Sequence, residues 1–237
     1  MTLDGPLPFL GGLEPLRPKI LACRQIDEVD ARLAEVLGLD PARHVSAGLI
    51  TADQDDAMYV ALDHATKFAE VDVVYAKSFY AGAAHASGPY SGEILGVIAG
   101  PHPDEVREGL WAIRQGLLES FCFYRLAGTD GPAFFPQVIG HLGRYLAPQA
   151  GVQPGTAMAY LIAPPLESVI ALDAALKAAE VRLAKWFGPP TETNYGGGYL
   201  TGELHDVEAA ARAFAEAIRQ VVGSPLGALR RPERERF

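Results

Sequence analysis

The sequence predicts an α/β fold in which one small domain occurs twice in tandem. The stretch ALDHATKFAEV, from Ala61 to Val71, recurs as ALDAALKAAEV from Ala171 to Val181, with eight of eleven positions identical. The spacing is 110 residues (171 minus 61). Further along, GVIAG in one half is matched by GYLTG in the other, and an acidic helix start follows each. Because self-similarity at a long spacing is typical of a repeated structural unit, we expect two copies of one fold.

The first copy is predicted to run in the order strand, helix, strand, helix, two strands and helix. KILACRQIDEVDARLAEVLGLD is predicted to form a strand and then a helix that a glycine stops. The repeated stretch forms the next helix and leads into the strand VDVVYA, and GVIAG is the strand after it. In the last helix Val106, Leu110, Ile113 and Leu117 recur at helical spacing, and Asp104 is the predicted N-cap.

The second copy is predicted to repeat this order. FCFYRLAGTDGPAFFPQVIGHLGRYL is expected to form a strand, a longer turn with glycine and proline, and a helix. The repeated helix follows, and RLAKWF and GYLTG are the next two strands. Asp206 is the predicted N-cap of the last helix and Gly223 its stop. The apolar positions of that helix are Val207, Ala210, Phe214, Ile218 and Val221.

The seam between the copies is predicted near Glu119 and Ser120. This places the first domain at residues 1–119 and the second at residues 120–237. A chain of 237 residues with 49% hydrophobic content is long enough to bury two small cores.

The copies differ in the loop between their second and third core strands. From Lys67 to Gly96 there are 29 residues (96 minus 67), and from Lys177 to Gly198 there are 21 (198 minus 177). The 8 extra residues of the first copy fall in KSFYAGAAHASGPYSGE, and the second copy has GPPTETNYGGG at the same place. Small residues, glycine and proline exclude regular helix or a central strand here, so both stretches are predicted loops.

Composition excludes several classes of protein. The net charge is −9 and the pI is near 5.1, whereas nucleic-acid binding needs clustered lysine and arginine. No run approaches the roughly 18 apolar residues of a membrane span, so we expect a cytoplasmic protein. Cys23 and Cys122 lie in apolar runs and are expected to be buried free thiols. The sequence has no GxSxG motif, no P-loop and no GxGxxG after a strand, so no enzyme and no cofactor are predicted.

Long motifs across the chain carry a resemblance to a known family. The motifs are GLITADQDDAMYVALDHATK, YAKSFYAGAAHASGPYSGE, MAYLIAPPLESVIALDAALK and PPTETNYGGGYLTG, and the match extends from roughly Lys19 to Val222. With the tandem arrangement, they resemble the trimeric shell proteins of ethanolamine-utilization bacterial microcompartments. The N-terminal GPLPFLGGLEPLR and the C-terminal SPLGALRRPERERF depart from the family pattern.

The resemblance implies a structural role. Members of this family carry two circularly permuted shell domains per chain, and three chains form a flat pseudohexamer that tiles the shell with other shell proteins. The enclosed pathway breaks down ethanolamine to acetaldehyde with a cobalamin enzyme, and the shell protein is not that enzyme. We therefore expect a homotrimer in the microcompartment shell with a gated pore for small polar metabolites. The alternative is a soluble trimeric sensor, because small duplicated α/β domains also bind metabolites between subunits.

The two predicted loops, residues 78–92 and 190–198, are the candidates for a gated central pore. A gate needs segments with few buried contacts and two accessible arrangements, which suits their glycine and proline content. Bulky aromatic residues in the first loop could close the opening. The alternative is two ordinary surface loops with those aromatics packed inward. The candidate pore residues are Phe79, Tyr80, Gly82, His85, Asn194, Tyr195, Gly196 and Gly197.

An ethanolamine site is implied by the same resemblance. Binding an aminoalcohol calls for a carboxylate against the ammonium group, a hydrogen-bonding partner for the hydroxyl and an aromatic face for the cation. Asp55, Glu93, Phe123 and Thr193 match the positions that the family motif places round small pores inside each subunit. Two alternatives stay open: an aspartate before a helical run is often its N-cap, and Phe123 is a natural core residue.

Histidines and repeated lysines suggest two weaker hypotheses. The six histidines form no HxxxH or HExxH pair, so no metal site is predicted. The alternative is a three-histidine site built by His85 on a threefold axis. Lys67 and Lys177 hold the same place in both copies and could lie at the edges of a tile. The alternative is a solvated lysine, which is favourable near a helix C-terminus.

Overall fold

The computed structural model describes residues 11–79, 94–191 and 193–225. Glu93, Tyr80, Gly82 and His85 therefore lie outside the described residues. The strands and helices, in chain order, are β1 (Leu13–Leu16), β2 (Ile20–Ile26), α1 (Ala31–Leu37), β3 (Ser46–Ala52), α2 (Asp55–Phe68), β4 (Asp72–Ser78), β5 (Ile94–Gly100), α3 (Pro103–Glu119), β6 (Phe123–Leu126), β7 (Phe135–Ile139), α4 (Leu146–Gln149), β8 (Ala157–Ala163), α5 (Pro165–Ala178), β9 (Arg182–Phe187), β10 (Gly196–Gly202) and α6 (Leu204–Gly223).

Two four-stranded antiparallel sheets share one topology. The first sheet has the strand order β2-β3-β5-β4 and the second has β7-β8-β10-β9. GVIAG lies in β5 and GYLTG in β10, each at the same inner position of its sheet. The predicted α/β duplication is therefore confirmed. Helices α2 and α3 pack on the first sheet, and α5 and α6 pack on the second.

A two-stranded ribbon joins the beginning of the chain to the second half. β1 pairs antiparallel with β6, with Leu16 opposite Phe123. Glu14 forms an ion pair with Arg125 across this ribbon, and the N–O distance is 2.9 Å. The boundaries 1–119 and 120–237 stay a prediction, and residues 13–16 of the first range pair with the second.

Three local predictions are corrected by the structure. The strand equivalent to β2 is β7, formed by FPQVI, and not the FCFYR segment, which pairs with β1 instead. Pro136 is tolerated there because β7 is an edge strand. The helix expected at the end of this stretch begins only at its last residue, Leu146, and is reduced to the four residues of α4. The N-caps of α3 and α6 are His102 and Glu203, so Asp104 and Asp206 lie in the first turns. The predicted stop of α6 at Gly223 is confirmed.

The second sheet is covered on both faces. All seven residues of β8 are buried, and they alternate between two hydrophobic clusters. Ala159 and Leu161 pack with α5 and α6, whereas Met158, Tyr160 and Ile162 pack with residues of α2 and the first core. Strand side chains point alternately to opposite faces, so the second sheet lies between its own helices and helix α2 of the first domain.

Hydrogen bonds fix this junction between the domains. The Asp63 carboxylate in α2 accepts backbone N–H groups of Gly143, Tyr145 and Leu146 at 2.7, 3.1 and 2.8 Å. It thus caps α4 from a different helix. Burial raises the pKa of Asp63, and the N–H donors of Leu146 and Gly143 oppose that rise. Lys67 also donates to the His141 carbonyl oxygen at 3.1 Å, so it lies at this junction within the chain.

Two further expectations concern the thiols and the membrane. Both cysteines are free; Cys122 is buried, and Cys23 is only half-buried. Burial raises the pKa of both thiols. In the described ranges, no helix has the length and apolar character needed to cross a membrane.

Candidate ligand site between the domains

A cavity of about 340 Å³ lies where the start of α2, the ribbon and the loop before β10 meet. We name it the Phe123 cavity. Its walls come from both halves of the chain, because the ribbon contributes one side and the α2 N-terminus another. The lining residues are Leu16, Asp53, Gln54, Asp55, Phe79, Phe123, Ala133, Thr193, Asn194 and Tyr195.

Three of the four predicted ligand residues line this one cavity. Asp55, Phe123 and Thr193 are far apart in sequence, and the fold brings them together. Glu93 lies outside the described residues, so its role stays a prediction.

The described pore candidates divide between the cavity and a strand. Phe79, Asn194 and Tyr195 line the Phe123 cavity. Gly196 and Gly197 are the first residues of β10, so the loop predicted over residues 190–198 ends at Tyr195. A Cβ on Gly197, whose φ is +154°, would lie 1.8 Å from the Leu161 carbonyl oxygen. Only glycine fits this close approach of two strands.

Asp55 is the first residue of α2 and is not its N-cap, a position that Gln54 holds. Its side chain is buried, yet it borders the cavity. One carboxylate oxygen accepts the backbone N–H of Asp56 at 2.9 Å, and the other accepts the Ser78 hydroxyl at 2.8 Å. These bonds fix the carboxylate at the N-terminal end of α2, where the helix dipole also favours a negative charge.

Gln54 ties the ribbon to the same helix start. Its side-chain amide donates to the Leu16 carbonyl at 2.7 Å and accepts the backbone N–H of Phe123 at 3.3 Å. One side chain thus bonds to both strands of the ribbon at the cavity wall. Gln54 was not predicted as a site residue, because its partners are 38 and 69 residues away and no local motif marks them.

Phe123 is both a packing residue and a wall of the cavity. It is half-buried, and its ring centroid lies 5.1 Å from that of Phe135 and 6.1 Å from that of Tyr195. The core role and the proposed ligand role are therefore compatible, because one face packs while the side chain still borders the opening.

A second cavity of about 180 Å³ adjoins the first and shares Asp55, Thr193 and Tyr195 with it. We name it the tyrosine cavity. It lies between the start of α2 and the face of the second sheet. Its other lining residues are Asp56, Tyr59, Gln149, Tyr160, Ile162, Lys185, Phe187, Thr191 and Tyr199.

The phenols of the tyrosine cavity stay neutral. Burial raises the pKa of Tyr160 well above its usual value, and the nearby Asp56 charge raises it further. Tyr160 therefore keeps its proton and donates a hydrogen bond through its hydroxyl to the Asp56 carboxylate. Burial likewise raises the pKa of Tyr59 and Tyr199. The cavity thus combines carboxylates with neutral aromatic rings, a set that suits a small ammonium group.

Lys185 contributes a positive charge at the edge strand β9. Its Nζ lies 5.0 Å from the Phe187 ring centroid and 5.8 Å from that of Tyr199. Sequence reasoning missed Lys185, Tyr160 and Tyr199 as cavity residues. The available signal was a pair of tyrosines in the otherwise small or apolar strands AMAYLIA and GGGYLTG.

The described residues hold no cluster of three or more His, Cys, Asp or Glu side chains able to bind a metal ion. His44 instead has its Nε2 3.0 Å from the Asp72 carboxylate, while its Nδ1 accepts the backbone N–H of Asp40. His85, the candidate for a three-histidine site, lies outside the described residues.

Comparison with known proteins gives a consistent result. No protein-family model matches the chain. The bacterial microcompartment shell protein EutL of Clostridium perfringens is 49% identical over 212 residues, which are 90% of this chain and 97% of that protein. EutL of Escherichia coli K12 is 44% identical over 215 residues, again 90% of this chain and 97% of that protein.

A solved structure agrees with these relatives. The crystal structure of the ethanolamine utilization protein EutL from Leptotrichia buccalis matches with a TM-score of 0.85 at 48% identity. The match covers 90% of this chain and 98% of that one. Identity at this level over nearly the whole length confirms the tandem shell-protein fold. The chain belongs to the EutL family of bacterial microcompartment shell proteins.

Proposed function

We propose that this protein is a structural tile of an ethanolamine-utilization microcompartment shell, that three chains close into a ring, and that each chain binds ethanolamine in its Phe123 cavity. The assembly is proposed because the two surfaces that meet at the junction inside the chain each have a counterpart that does not meet its own partner within the chain. Within the chain, helix α2 covers the second sheet. In the single chain the outer side of the equivalent helix α5 is open, and the equivalent face of the first sheet is partly open.

The outer side of α5 is apolar and exposed. Both helices bury the same inner positions, since Met58, Ala61, Leu62 and Ala65 of α2 correspond to Ser168, Ala171, Leu172 and Ala175 of α5. The outer positions differ in burial. Val60 is 2% exposed beneath the second sheet, whereas its counterpart Ile170 is 46% exposed. Leu166 and Val169 are exposed beside it.

The matching surface on the first sheet is partly open, because Leu49 is half-buried there while Val97 beside it is 0% exposed. In the second sheet, Tyr160 lies opposite Tyr199 of GYLTG; in the first sheet, Leu49 lies opposite Val97 of GVIAG. Tyr160 is buried by α2, whereas Leu49 is only half-buried.

Helix α1 of the first copy and helix α4 of the second differ in burial in the same way. Leu33 stands seven residues after Ile26 (33 minus 26), and Leu146 seven after Ile139 (146 minus 139). Leu146 is 0% exposed beneath α2, and Leu33 is 42% exposed. Exposed apolar patches of this kind mark interaction surfaces.

If α5 of one chain docks on the first sheet of the next, the contact between chains has the same geometry as the contact of α2 with the second sheet inside each chain. Such a head-to-tail contact closes into a ring when the rotation allows it. The family resemblance sets the number of chains at three, which gives six near-equivalent domains. A structural tile of this kind needs no catalytic group.

The ligand proposal rests on the Phe123 cavity. The Asp55 carboxylate takes the ammonium group, the Thr193 hydroxyl bonds the ligand hydroxyl, and Phe123 supplies an aromatic face. We extend this to a gated pore for small polar metabolites, formed by the two loops. The glycine- and proline-rich sequences of the loops support this gate, and Phe79, Asn194 and Tyr195 of the loops line the same cavity.

Electron microscopy of concentrated protein tests the tile. We expect two-dimensional hexagonal arrays, and light scattering of dilute protein should give the mass of three chains. Discrete particles that never form sheets would favour the soluble trimeric sensor. A chain that stays monomeric at all concentrations would overturn the assembly.

Calorimetric titration with ethanolamine tests the ligand site. Asp55→Asn keeps the size of the side chain and its capacity to accept the Ser78 hydroxyl, but removes the charge, so we expect binding to be lost. Asp104→Asn is the matched control, because Asp104 is an exposed carboxylate on α3. Equal affinity in Asp55→Asn and wild type would remove Asp55 from the site.

A further inference from the structure

The tyrosine cavity has two kinds of wall that suit two kinds of ammonium ion. Asp55 and Asp56 lie at one side, where a primary ammonium can donate hydrogen bonds to carboxylates. Phe187 and Tyr199 lie at the other side, where a cation is attracted by the ring faces without any donor. A quaternary ammonium has no N–H to donate and depends on the aromatic wall.

The aromatic wall already holds an ammonium group in this chain. The Nζ atom of Lys185 lies within about 6 Å of both ring centroids, which is the distance at which cation–π attraction operates. The Phe187 and Tyr199 rings themselves pack at 4.9 Å in a nearly perpendicular arrangement, so the wall is fixed before any ligand arrives. The Lys185 ammonium group therefore already lies where a quaternary ammonium would have to bind.

Lys185 also opposes a second cation by charge. It is exposed at the edge strand β9, and its ammonium lies at the border of a cavity whose opposite side carries the two carboxylates. A primary ammonium held by Asp55 gains from the carboxylates without contacting the rings that Lys185 covers. A quaternary ion would have to displace the Lys185 side chain first.

We propose that Lys185 is a specificity-determining residue that excludes quaternary ammonium ions, such as choline, from the aromatic wall of Phe187 and Tyr199. The tyrosine cavity shares Asp55, Thr193 and Tyr195 with the Phe123 cavity, so an ammonium group at Asp55 borders both. The proposal therefore deepens the ethanolamine site and rests on that proposed function for the preferred ligand. It gives the cavity a means to discriminate ethanolamine from its trimethylated analogue.

Calorimetric titrations with choline and with ethanolamine test this on the full-length chain. In Lys185→Ala the rings become accessible, so the affinity for choline should rise roughly tenfold relative to that for ethanolamine. Lys185→Arg keeps a cation that also stacks on rings, and it should behave like the wild type. Adding Phe187→Leu to Lys185→Ala should remove the gain, because it deletes one ring of the wall.

The outcomes separate the two proposals. If the ratio of choline affinity to ethanolamine affinity is the same in Lys185→Ala as in the wild type, the inference is wrong. It is also wrong if this ratio rises in Lys185→Arg as much as in Lys185→Ala. A wild type that does not bind ethanolamine would contradict the proposed ligand. Even then, a choline affinity that appears in Lys185→Ala and vanishes with Phe187→Leu would support the role of Lys185.

Discussion

Helices α2 and α5 are equivalent in the two copies and identical at five of fourteen positions, but they have different surroundings. The residues that face their own sheet are buried in both, at positions i, i+3, i+4 and i+7. Six more positions are buried in α2 alone, because the second sheet covers its outer side. The outer side of α5 presents Leu166, Val169 and Ile170 to solvent.

The difference shows how a duplicated domain acquires separate tasks. Positions that pack inward kept small or apolar residues in both copies. Where α2 meets the second sheet, Asp56 and Tyr59 line a cavity, and their counterparts in α5 are Leu166 and Val169. The junction inside the chain therefore holds a polar cavity, and the junction proposed between chains is apolar.

The largest effect is expected from a charge on the outer side of α5, the surface in which the two helices differ. Ile170→Glu should leave the fold of a single chain intact, because Ile170 is exposed there. Burial of a glutamate against the neighbouring sheet would weaken association by more than about 100-fold. Light scattering should then give the mass of one chain.

Leu118→Glu is the control for this variant. Leu118 is an equally exposed leucine on α3 and takes no part in the proposed junction. It should keep the trimer mass. A trimer that survives Ile170→Glu would show that α5 does not form the contact between chains.

A smaller effect is expected from the repeated aspartates Asp63 and Asp173. Asp63→Ala removes the acceptor of three backbone N–H groups and leaves them unsatisfied at the junction. We expect the free energy of unfolding to fall by about 2–4 kcal/mol. Asp173→Ala removes only an exposed ion pair with Lys177, which should cost less than about 0.5 kcal/mol.

Both aspartate variants are best measured by urea unfolding in the monomeric Ile170→Glu background, so that assembly does not contribute. Similar losses in the two variants would mean that Asp63 is no more important to the fold than its exposed repeat.

The smallest effect concerns the residue before each helix. Gln54 bonds both strands of the ribbon, whereas its counterpart Pro164 makes no side-chain cap bond. Gln54→Ala should weaken ethanolamine binding about threefold to tenfold, because Phe123 loses its fixed position at the cavity wall. Calorimetric titration with ethanolamine measures this affinity. If Gln54→Ala binds as tightly as the wild type while Asp55→Asn does not bind, Gln54 has a purely structural role.

The sequence was sufficient for the elements that repeat. The helices around Leu62 and Leu172 and the strands GVIAG and GYLTG were predicted from internal similarity alone. FCFYR was wrongly predicted to be the counterpart of the first strand KILACRQ. It pairs with β1 instead, and this pairing joins residues more than 100 positions apart. Local patterns carry no information on such pairs.

The candidate site was predictable only in part. Asp55, Phe123 and Thr193 came from resemblance to a family, and the fold brings them to one cavity. Lys185 and Tyr160 were not predicted, because they reach the cavity only when the second sheet packs on α2. A polar residue in a buried strand, such as Tyr160, is the kind of signal that points to such a place.

Crosslinking between chains tests whether α5 of one chain packs on the first sheet of the next. Because Tyr160 contacts Asp56 within the chain, the counterparts Leu49 and Leu166 should meet between chains. A double variant with Leu49→Cys and Leu166→Cys, treated with a short thiol-reactive crosslinker, should give a covalent ladder ending at three chains on a denaturing gel. Each single variant should stay at one chain. A double variant that is trimeric by light scattering but yields only single chains on the gel would contradict the proposed junction.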